Sequence, residues 1–183
     1  KDTGIYEDTL VIITSDHGEL FGEYGEYGKP ERMYDELLHV PLIIDNGPGY
    51  LNEVTDDLIS LLDIPPLIHD ALGFDGPTVY EGKIPGKDSP RKYVMAEHEV
   101  DGDIIVGARS SEWLYEGDEI NNEHRLFDIR DGRFEQIDKD QSEGAIVREA
   151  VLNRLDELDI DAKYLKNEME DDVEDRLEDL GYL

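Results

Sequence analysis

Asp16 and His17 are adjacent residues whose side chains can bind a divalent cation, or can orient and deprotonate a water molecule. They follow a continuous apolar run, Leu10 to Ile13, which is typical of a strand buried on both faces of a parallel sheet. The pair would then lie beyond the carboxyl end of a strand, where open α/β sheets place their sites. An Asp-His dipeptide alone is a weak signal in so acidic a chain, so its position after a strand carries the prediction.

Lys29 is the third candidate residue, and a Gly-rich loop over residues 18–32 connects it to the Asp-His pair. Long loops of this kind usually carry function or flexibility. Lysine is a flexible point charge suited to capturing an anion, and a lone cation in an acidic loop near a strand end would suit an anionic ester. The alternatives are that the loop is only a mobile surface loop and that Lys29 is a solvated surface charge.

The elements around this loop are predicted from apolar runs and capping signals. A second apolar run, Val40 to Ile44, predicts another buried strand. Thr55 is a predicted N-cap, and the following leucines predict a helix that continues to about Leu62. A second helix is predicted from Pro66 to about Leu72, ending at Gly73.

The second half of the chain has a different character. Residues 73–91 are rich in Gly and Pro, which predicts a long surface connection and a subdomain boundary. Short strand-like runs separated by turn residues then predict an antiparallel sheet. These runs are Lys92 to Glu97, Asp103 to Arg109, Glu112 to Tyr115 and Arg125 to Arg130.

Two amphipathic patterns follow the predicted sheet. Apolar residues at helical spacing from Ile146 to Leu158 predict a helix that covers one face of the sheet. Met169, Val173, Leu177 and Leu180 form a second apolar stripe at helical spacing. This stripe would dock on its own chain or, alternatively, form a partner or subunit interface.

The first half of the chain resembles the sulfatase family of the alkaline phosphatase superfamily. The resemblance rests on several linked pieces that occur in the family's order and at family-like spacing. These are Ser15-Asp-His-Gly-Glu19, Gly22-Glu-Tyr-Gly25, Gly28-Lys29, Tyr34-Asp-Glu36, Val40-Pro-Leu-Ile-Ile44 and Pro48-Gly49. Two positions depart from the family pattern: Tyr24 stands where the family usually has His, and His39 stands where an Arg usually precedes Val-Pro.

The resemblance implies roles for the three candidate residues. Asp16 and His17 match the family's metal-binding pair, and Lys29 matches the lysine that contacts the sulfate ester. The implied ion is calcium or magnesium, with manganese possible. The implied nucleophile is a formylglycine made in a Cys/Ser-x-Pro-x-Arg motif, and this sequence contains no such motif. We therefore expect the chain to resemble only the C-terminal portion of a sulfatase and to be inactive alone.

The predicted fold is α/β: the end of a mixed, mostly parallel sheet flanked by helices, followed by a small α+β subdomain with an antiparallel sheet and C-terminal helices. We place the C-terminal part of the catalytic domain at residues 1–75, a linker at 76–92 and the small subdomain at 93–183. The expected partners are a sulfate-ester small molecule or glycan and the N-terminal half of the same enzyme. Formation of an oligomer stays open.

The leading hypothesis is a metal-dependent hydrolase of sulfate esters. Hydrolysis of phosphate mono- or diesters is the near alternative, because sister branches of the superfamily share the strand-Asp-His arrangement. The second hypothesis, from another class, is a non-catalytic acidic module that binds cations or a protein partner. A metal-binding domain that folds alone would favour the module, whereas exposed apolar surface beside the first strands would count against it.

The charge of the chain bounds its partners and its environment. Forty-seven acidic residues against 17 basic ones give a formal net charge of −30, and the acidic residues are spread along the whole chain. The charge argues against nucleic-acid binding, because such binding requires basic surface and no Lys/Arg cluster occurs. No apolar run is long enough to span a membrane. Dispersed acidity on a folded chain favours a halophilic source, and the cellular location stays open.

If this acidity is an adaptation to high salt, thermal stability should rise markedly between low and molar KCl. The added ions screen the repulsion between carboxylates that otherwise opposes the compact state. Thermal unfolding followed by circular dichroism across a KCl series measures the effect. A midpoint that does not depend on KCl would contradict the halophilic interpretation.

Overall fold

The computed structural model describes residues 4–53, 57–74, 79–100, 103–118 and 123–158. The apolar stripe predicted from Met169 to Leu180 lies outside these residues. The strands are β1 (Val11–Thr14), β2 (Leu20–Phe21), β3 (Tyr27–Gly28), β4 (Leu42–Asp45), β5 (Val94–Val100), β6 (Asp103–Arg109), β7 (Trp113–Asp118), β8 (Glu123–Asp128) and β9 (Glu135–Ile137). The α-helices are α1 (Asp35–Leu38), α2 (Ile64–Ala71) and α3, which covers residues 145–158.

Strands β1 and β4 form a two-stranded antiparallel sheet, in which Ile13 pairs with Ile43. The expected mostly parallel sheet is therefore not found among the described strands, all of whose pairings are antiparallel. The reason lies in the connection, because a parallel pair needs a crossover that returns the chain to the other end of the strand. Here residue 18 contacts residue 37 through a backbone hydrogen bond, so the chain stays near the carboxyl end of β1 and β4 starts there.

Neither β1 nor β4 is buried on both faces, contrary to the expectation from their apolar runs. Ile13 and Ile43 are each 56% exposed. A continuous apolar run is typical of a strand that is covered on both sides, and a two-stranded sheet alone cannot supply that cover. The two isoleucines thus leave an apolar surface open on this sheet.

The helix predicted from Thr55 does not form over residues 57–60. A 3₁₀ turn at Leu61–Asp63 leads into α2 instead. Ser60 caps this turn: its side chain accepts a hydrogen bond from the Leu62 backbone N–H, and the Asp63 side chain accepts one from the Ser60 backbone N–H. This capping box starts the helical segment after Ser60 rather than at Thr55. The helix predicted to end at Gly73 does so, with that glycine at a positive φ of 64°.

Asp63 joins this helical segment to the predicted linker. Its carboxylate is buried, accepts a hydrogen bond from the Lys83 backbone N–H at 2.7 Å and forms an ion pair with Arg91. A buried carboxylate is costly unless it is paired in this way. Residues 83 and 91 are thereby held against the segment that precedes α2.

The second half contains the predicted antiparallel sheet, with five strands in the order β5-β6-β7-β8-β9. Strand β9 was not predicted. One face of the sheet packs against α3, which confirms the predicted helix cover. The buried residues of this core are Val106, Ala108, Trp113, Tyr115 and Leu126 from the sheet and Val147, Ala150, Val151 and Leu155 from α3.

The other face of the sheet is covered by the segment around α1. Met33 packs with Ile105, Leu114 and Phe127 in a second buried cluster, and Leu38 packs at its edge. Arg109 of β6 also forms an ion pair with Asp35 at the start of α1. The sheet is therefore packed on both faces, and the chain segment that follows Lys29 supplies one of the two covers.

No helix in the described ranges is both long and apolar enough to cross a membrane.

An ion pair at the end of β8 predicts how the stability of the fold depends on pH. Arg130 donates hydrogen bonds to both carboxylate oxygens of Asp128, at 2.9 and 2.7 Å, and lowers the pKa of Asp128 to about 2. The unfolded chain binds this proton more tightly, with a pKa of about 3.9. The pair therefore stabilises the fold above pH 4, and this contribution is lost as the pH falls towards 2.

We expect Asp128→Asn to lower the free energy of unfolding at pH 6 and to have a smaller effect at pH 3. Urea unfolding at both pH values, followed by the fluorescence of Trp113, measures the difference. Asp131→Asn is the matched control, because Asp131 is an exposed carboxylate in the turn that follows. Equal losses at the two pH values for Asp128→Asn would show that the ion pair is not responsible.

Candidate active site

The loop after β1 holds Asp16 in a fixed orientation. Its Oδ1 atom accepts a hydrogen bond from the His17 backbone N–H at 3.0 Å, and Ser15 Oγ donates to the His17 carbonyl at 2.7 Å. The His17 backbone N–H is the main cause that lowers the pKa of Asp16, followed by the charge of the His17 side chain. With Oδ1 engaged by the backbone, Oδ2 faces the His17 ring at 3.5 Å from Nε2.

The contacts of His17 define which ring nitrogen carries the proton. Nδ1 lies 2.8 Å from the Gly18 carbonyl oxygen, and Nε2 lies 3.2 Å from Lys29 Nζ. A carbonyl oxygen can only accept and an ammonium can only donate, so Nδ1 carries the hydrogen and Nε2 presents its lone pair. A hydrogen bond from one ring nitrogen to a carbonyl is the arrangement that orients a metal-binding histidine.

The structure thus brings the three predicted residues together. Lys29, 12 residues beyond His17, reaches the same point as the Asp16 carboxylate. Asp16 and His17 remain accessible, with side chains 83% and 45% exposed. The Lys29 ammonium and the Asp16 carboxylate both lie beside His17 Nε2, which has one lone pair. A metal ion bound at Nε2 would therefore displace the Lys29 ammonium from this nitrogen and leave it free to meet an anionic ligand.

Asp16 Oδ2 and His17 Nε2 fit a divalent cation as two of its ligands. Oxygen and imidazole nitrogen are suitable donors, and their separation of 3.5 Å can be spanned by an ion about 2.3 Å from each. Within the described residues, no group of three or more His, Cys, Asp or Glu side chains is placed to hold a metal. Asp16 and His17 are thus a pair of possible ligands rather than a larger cluster in this part of the chain.

Gly18 allows the backbone to approach α1 closely. Its N–H donates a hydrogen bond to the Leu37 carbonyl at 2.9 Å, and a Cβ at this position would overlap the Glu36 carbonyl. The sequence predicted only a Gly-rich loop that begins at residue 18. The close contact with α1 was missed because nothing near Gly18 in sequence indicates which later segment packs on it.

Tyr24 and His39, the two departures from the family pattern, lie apart from this cluster in their contacts. The Tyr24 ring stacks on Tyr34 with centroids 4.7 Å apart, and its hydroxyl donates to Glu36 at 2.8 Å. Burial, followed by the bond to Glu36, raises the pKa of Tyr24. His39 is mostly exposed, and its nearest carboxylate is Asp35 at 3.9 Å. Tyr24 therefore braces the Gly-rich loop against α1 as a neutral hydrogen-bond donor.

Comparison with known proteins shows which family the first part of this chain resembles. Residues 1–74 match the family model described as Sulfatase. Arylsulfatase K of Bos taurus is 40% identical over 83 residues, which is 45% of this chain and 15% of the relative. Residues 1–74 are therefore similar to the sulfatase family, and the partial match fits a resemblance to the C-terminal portion only.

Solved structures share the fold over most of the chain. A 2-O GAG sulfatase superposes with a TM-score of 0.65 at 24% identity, over 86% of this chain and 37% of that one. A phosphonate monoester hydrolase from Silicibacter pomeroyi superposes with a TM-score of 0.64 at 23% identity, over 85% and 36%. The fold is thus the α/β fold of these hydrolases, and the chain spans only a minor part of each relative's length.

The close contact at Gly18 predicts that a side chain at this position lowers the stability of the fold. We expect Gly18→Ala to lower the free energy of unfolding by about 1–3 kcal/mol, because the added Cβ forces the backbone of α1 to move. Gly49→Ala is the control: its Cβ would meet nothing within 4 Å, so its effect should stay within about 0.5 kcal/mol. Urea unfolding of the two variants compares them, and equal losses would contradict the proposed contact.

Proposed function

We propose that this chain is the C-terminal portion of a metal-dependent sulfatase-type hydrolase that cleaves sulfate esters. The observation that carries the proposal is the meeting of Asp16, His17 and Lys29 at the carboxyl end of β1, in a segment that is similar to the sulfatase family. The substrate would be a sulfate ester of a small molecule or a glycan.

In the proposed mechanism, Asp16 Oδ2 and His17 Nε2 hold a divalent cation, for which calcium and magnesium are the first candidates and manganese is possible. When bound, the cation polarises the ester and stabilises an anionic nucleophile. The backbone holds both ligands in place, because Asp16 Oδ1 and His17 Nδ1 are each hydrogen-bonded to it. Lys29 neutralises charge on the sulfate oxygens as the reaction proceeds.

The proposed active site is completed by a second part of the enzyme. The expected nucleophile is a formylglycine, and the sequence contains neither Cys nor a Ser-x-Pro-x-Arg motif. We infer that an N-terminal half supplies the nucleophile and the remaining metal ligands, so this chain alone is inactive. The exposed faces of Ile13 and Ile43 give that half an apolar surface to cover.

A phosphate-ester hydrolase is the nearest second candidate. The fold is shared with a phosphonate monoester hydrolase as well as with sulfatases, and a lysine beside a metal pair can neutralise either anion. The non-catalytic acidic module is disfavoured by the same open apolar surface, since a domain that works alone would be expected to cover it.

The proposal predicts that the intact protein hydrolyses an aryl sulfate faster than an aryl phosphate or a phosphonate monoester. Lys29→Ala should lower kcat for the sulfate by about 10²–10³-fold, the usual cost of one lost charge-stabilising donor. Asp16→Ala and His17→Ala should remove activity through loss of the metal. Chelation should abolish turnover, and restoration with Ca²⁺, Mg²⁺ or Mn²⁺ in turn would identify the ion.

Lys87→Ala is the matched control for Lys29, because Lys87 is also a partly exposed lysine but pairs with Asp70. It should leave kcat unchanged. Intact-mass measurement and peptide mapping of the native polypeptide test the second part of the proposal. A native protein without formylglycine that shows no turnover of the sulfate would overturn the sulfatase assignment.

A further inference from the structure

Lys29 is tied to the five-stranded sheet by the short segment that follows it. Pro30 restricts the backbone, and its carbonyl accepts a hydrogen bond from the Arg32 N–H at 2.7 Å, which closes a tight turn. Met33 comes next and is buried on the face of the sheet opposite α3. Met33 is thus the anchor of this segment on the sheet. Only three residues separate it from Lys29, so a displacement of Met33 would change the position of Lys29.

Glu116 of β7 is the polar centre of the anchor. Its side chain is 1% exposed, and Oε2 accepts a hydrogen bond from the Met33 backbone N–H at 2.6 Å. Oε1 forms an ion pair with Arg125 of β8 and lies 3.5 Å from Arg32 Nε. A buried carboxylate is tolerated only when such partners satisfy its hydrogen-bonding capacity. These partners therefore fix the position of the Glu116 carboxylate and, through it, of the Met33 backbone.

Gly107 makes room for this anchor on the neighbouring strand. It lies directly opposite Glu116 in the register of β6 and β7. A Cβ at residue 107 would come within 2.8 Å of Met33 Cγ. The absent side chain at 107 therefore lets Met33 descend far enough for its backbone N–H to reach the Glu116 carboxylate.

We propose that Glu116 is a positioning residue that acts through Lys29. By fixing the Met33 backbone against the sheet, it keeps the Lys29 ammonium beside the Asp16–His17 pair, within reach of an anionic ester bound there; in this structure the ammonium lies 3.2 Å from His17 Nε2. This inference rests on the proposed function for the role of Lys29 in turnover. The placement of Lys29 by Glu116 can be measured without turnover.

Two variants disturb the anchor from different sides. In Glu116→Gln one of the two carboxylate oxygens becomes an NH2 group, which can only donate and therefore cannot accept from the Met33 N–H or from Arg125. In Gly107→Ala the carboxylate is kept, but the new Cβ pushes Met33 away from the sheet. Gly117→Ala is the matched control, because its Cβ would crowd Val151 and Leu155 at 2.8 Å each, on the α3 face of the same sheet.

The first measurement is made on the intact protein after reductive ¹³C-methylation of its lysines. The Lys29 dimethylamino signal is assigned by its loss in Lys29→Arg, and its chemical shift reports the surroundings of the ammonium. We expect the signal to move in Glu116→Gln and in Gly107→Ala and to stay in place in Gly117→Ala. An unmoved signal in both anchor variants would overturn the inference, and thermal unfolding of each variant verifies that it is folded.

The second measurement is a double-mutant cycle in kcat/KM for an aryl sulfate. Glu116→Gln and Gly107→Ala should each lower kcat/KM by about tenfold to hundredfold, because small misplacements of a catalytic group have effects of this size. In a Lys29→Ala background, Glu116→Gln should cause little further loss, since its effect passes through Lys29. Losses that multiply would mean that Glu116 acts on the fold generally and would overturn the inference.

The two measurements separate failure of the inference from failure of the proposed function. A wild-type protein without sulfate-ester turnover overturns the sulfatase assignment. Movement of the Lys29 signal in the two anchor variants, with none in Gly117→Ala, still supports the positioning role in that case.

Discussion

The candidate site depends on the packing of residues 33–38 against the second face of the five-stranded sheet. This segment lies between the two loops that carry the candidate residues. The Leu37 carbonyl accepts a hydrogen bond from Gly18, the residue after His17. The Met33 backbone N–H, four residues after Lys29, donates one to Glu116. The short helix α1 has too few residues to be stable in isolation, so its conformation comes from this packing. The loops that carry Asp16, His17 and Lys29 are thus held by a sheet whose described strands carry none of these three residues.

The candidate chemistry could be predicted from the sequence, because it resides in side chains that lie near one another in a compact motif. The apolar run before Asp16 and His17, the Gly-rich loop leading to Lys29 and, above all, the resemblance to the sulfatase family selected the three residues that the structure brings together. The antiparallel sheet and the helix on its face were also predicted, since alternating strands, turn residues and helical spacing are local signals.

The features that could not be predicted are those set by distant partners. The apolar runs of β1 and β4 indicated strands but carry no information on their relative direction, which the connection between them decides. Glu116 looks like any polar residue of a strand until Met33, 83 residues earlier, is placed above it. The start of the helix before α2 was missed for a different reason, because it depends on a local signal. The capping box of Ser60 and Asp63 determines the start in place of the N-cap predicted at Thr55.

The close packing of Met33 over Gly107 has an evolutionary consequence. The two positions share one small volume, so a larger residue at 107 is compatible with the fold only if residue 33 becomes smaller or shifts. Positions 74 residues apart should therefore covary among related chains, and this covariation would link a segment matching the sulfatase family to a sheet that lies beyond the matched residues. Sequence drift in the two halves of the chain is then not independent.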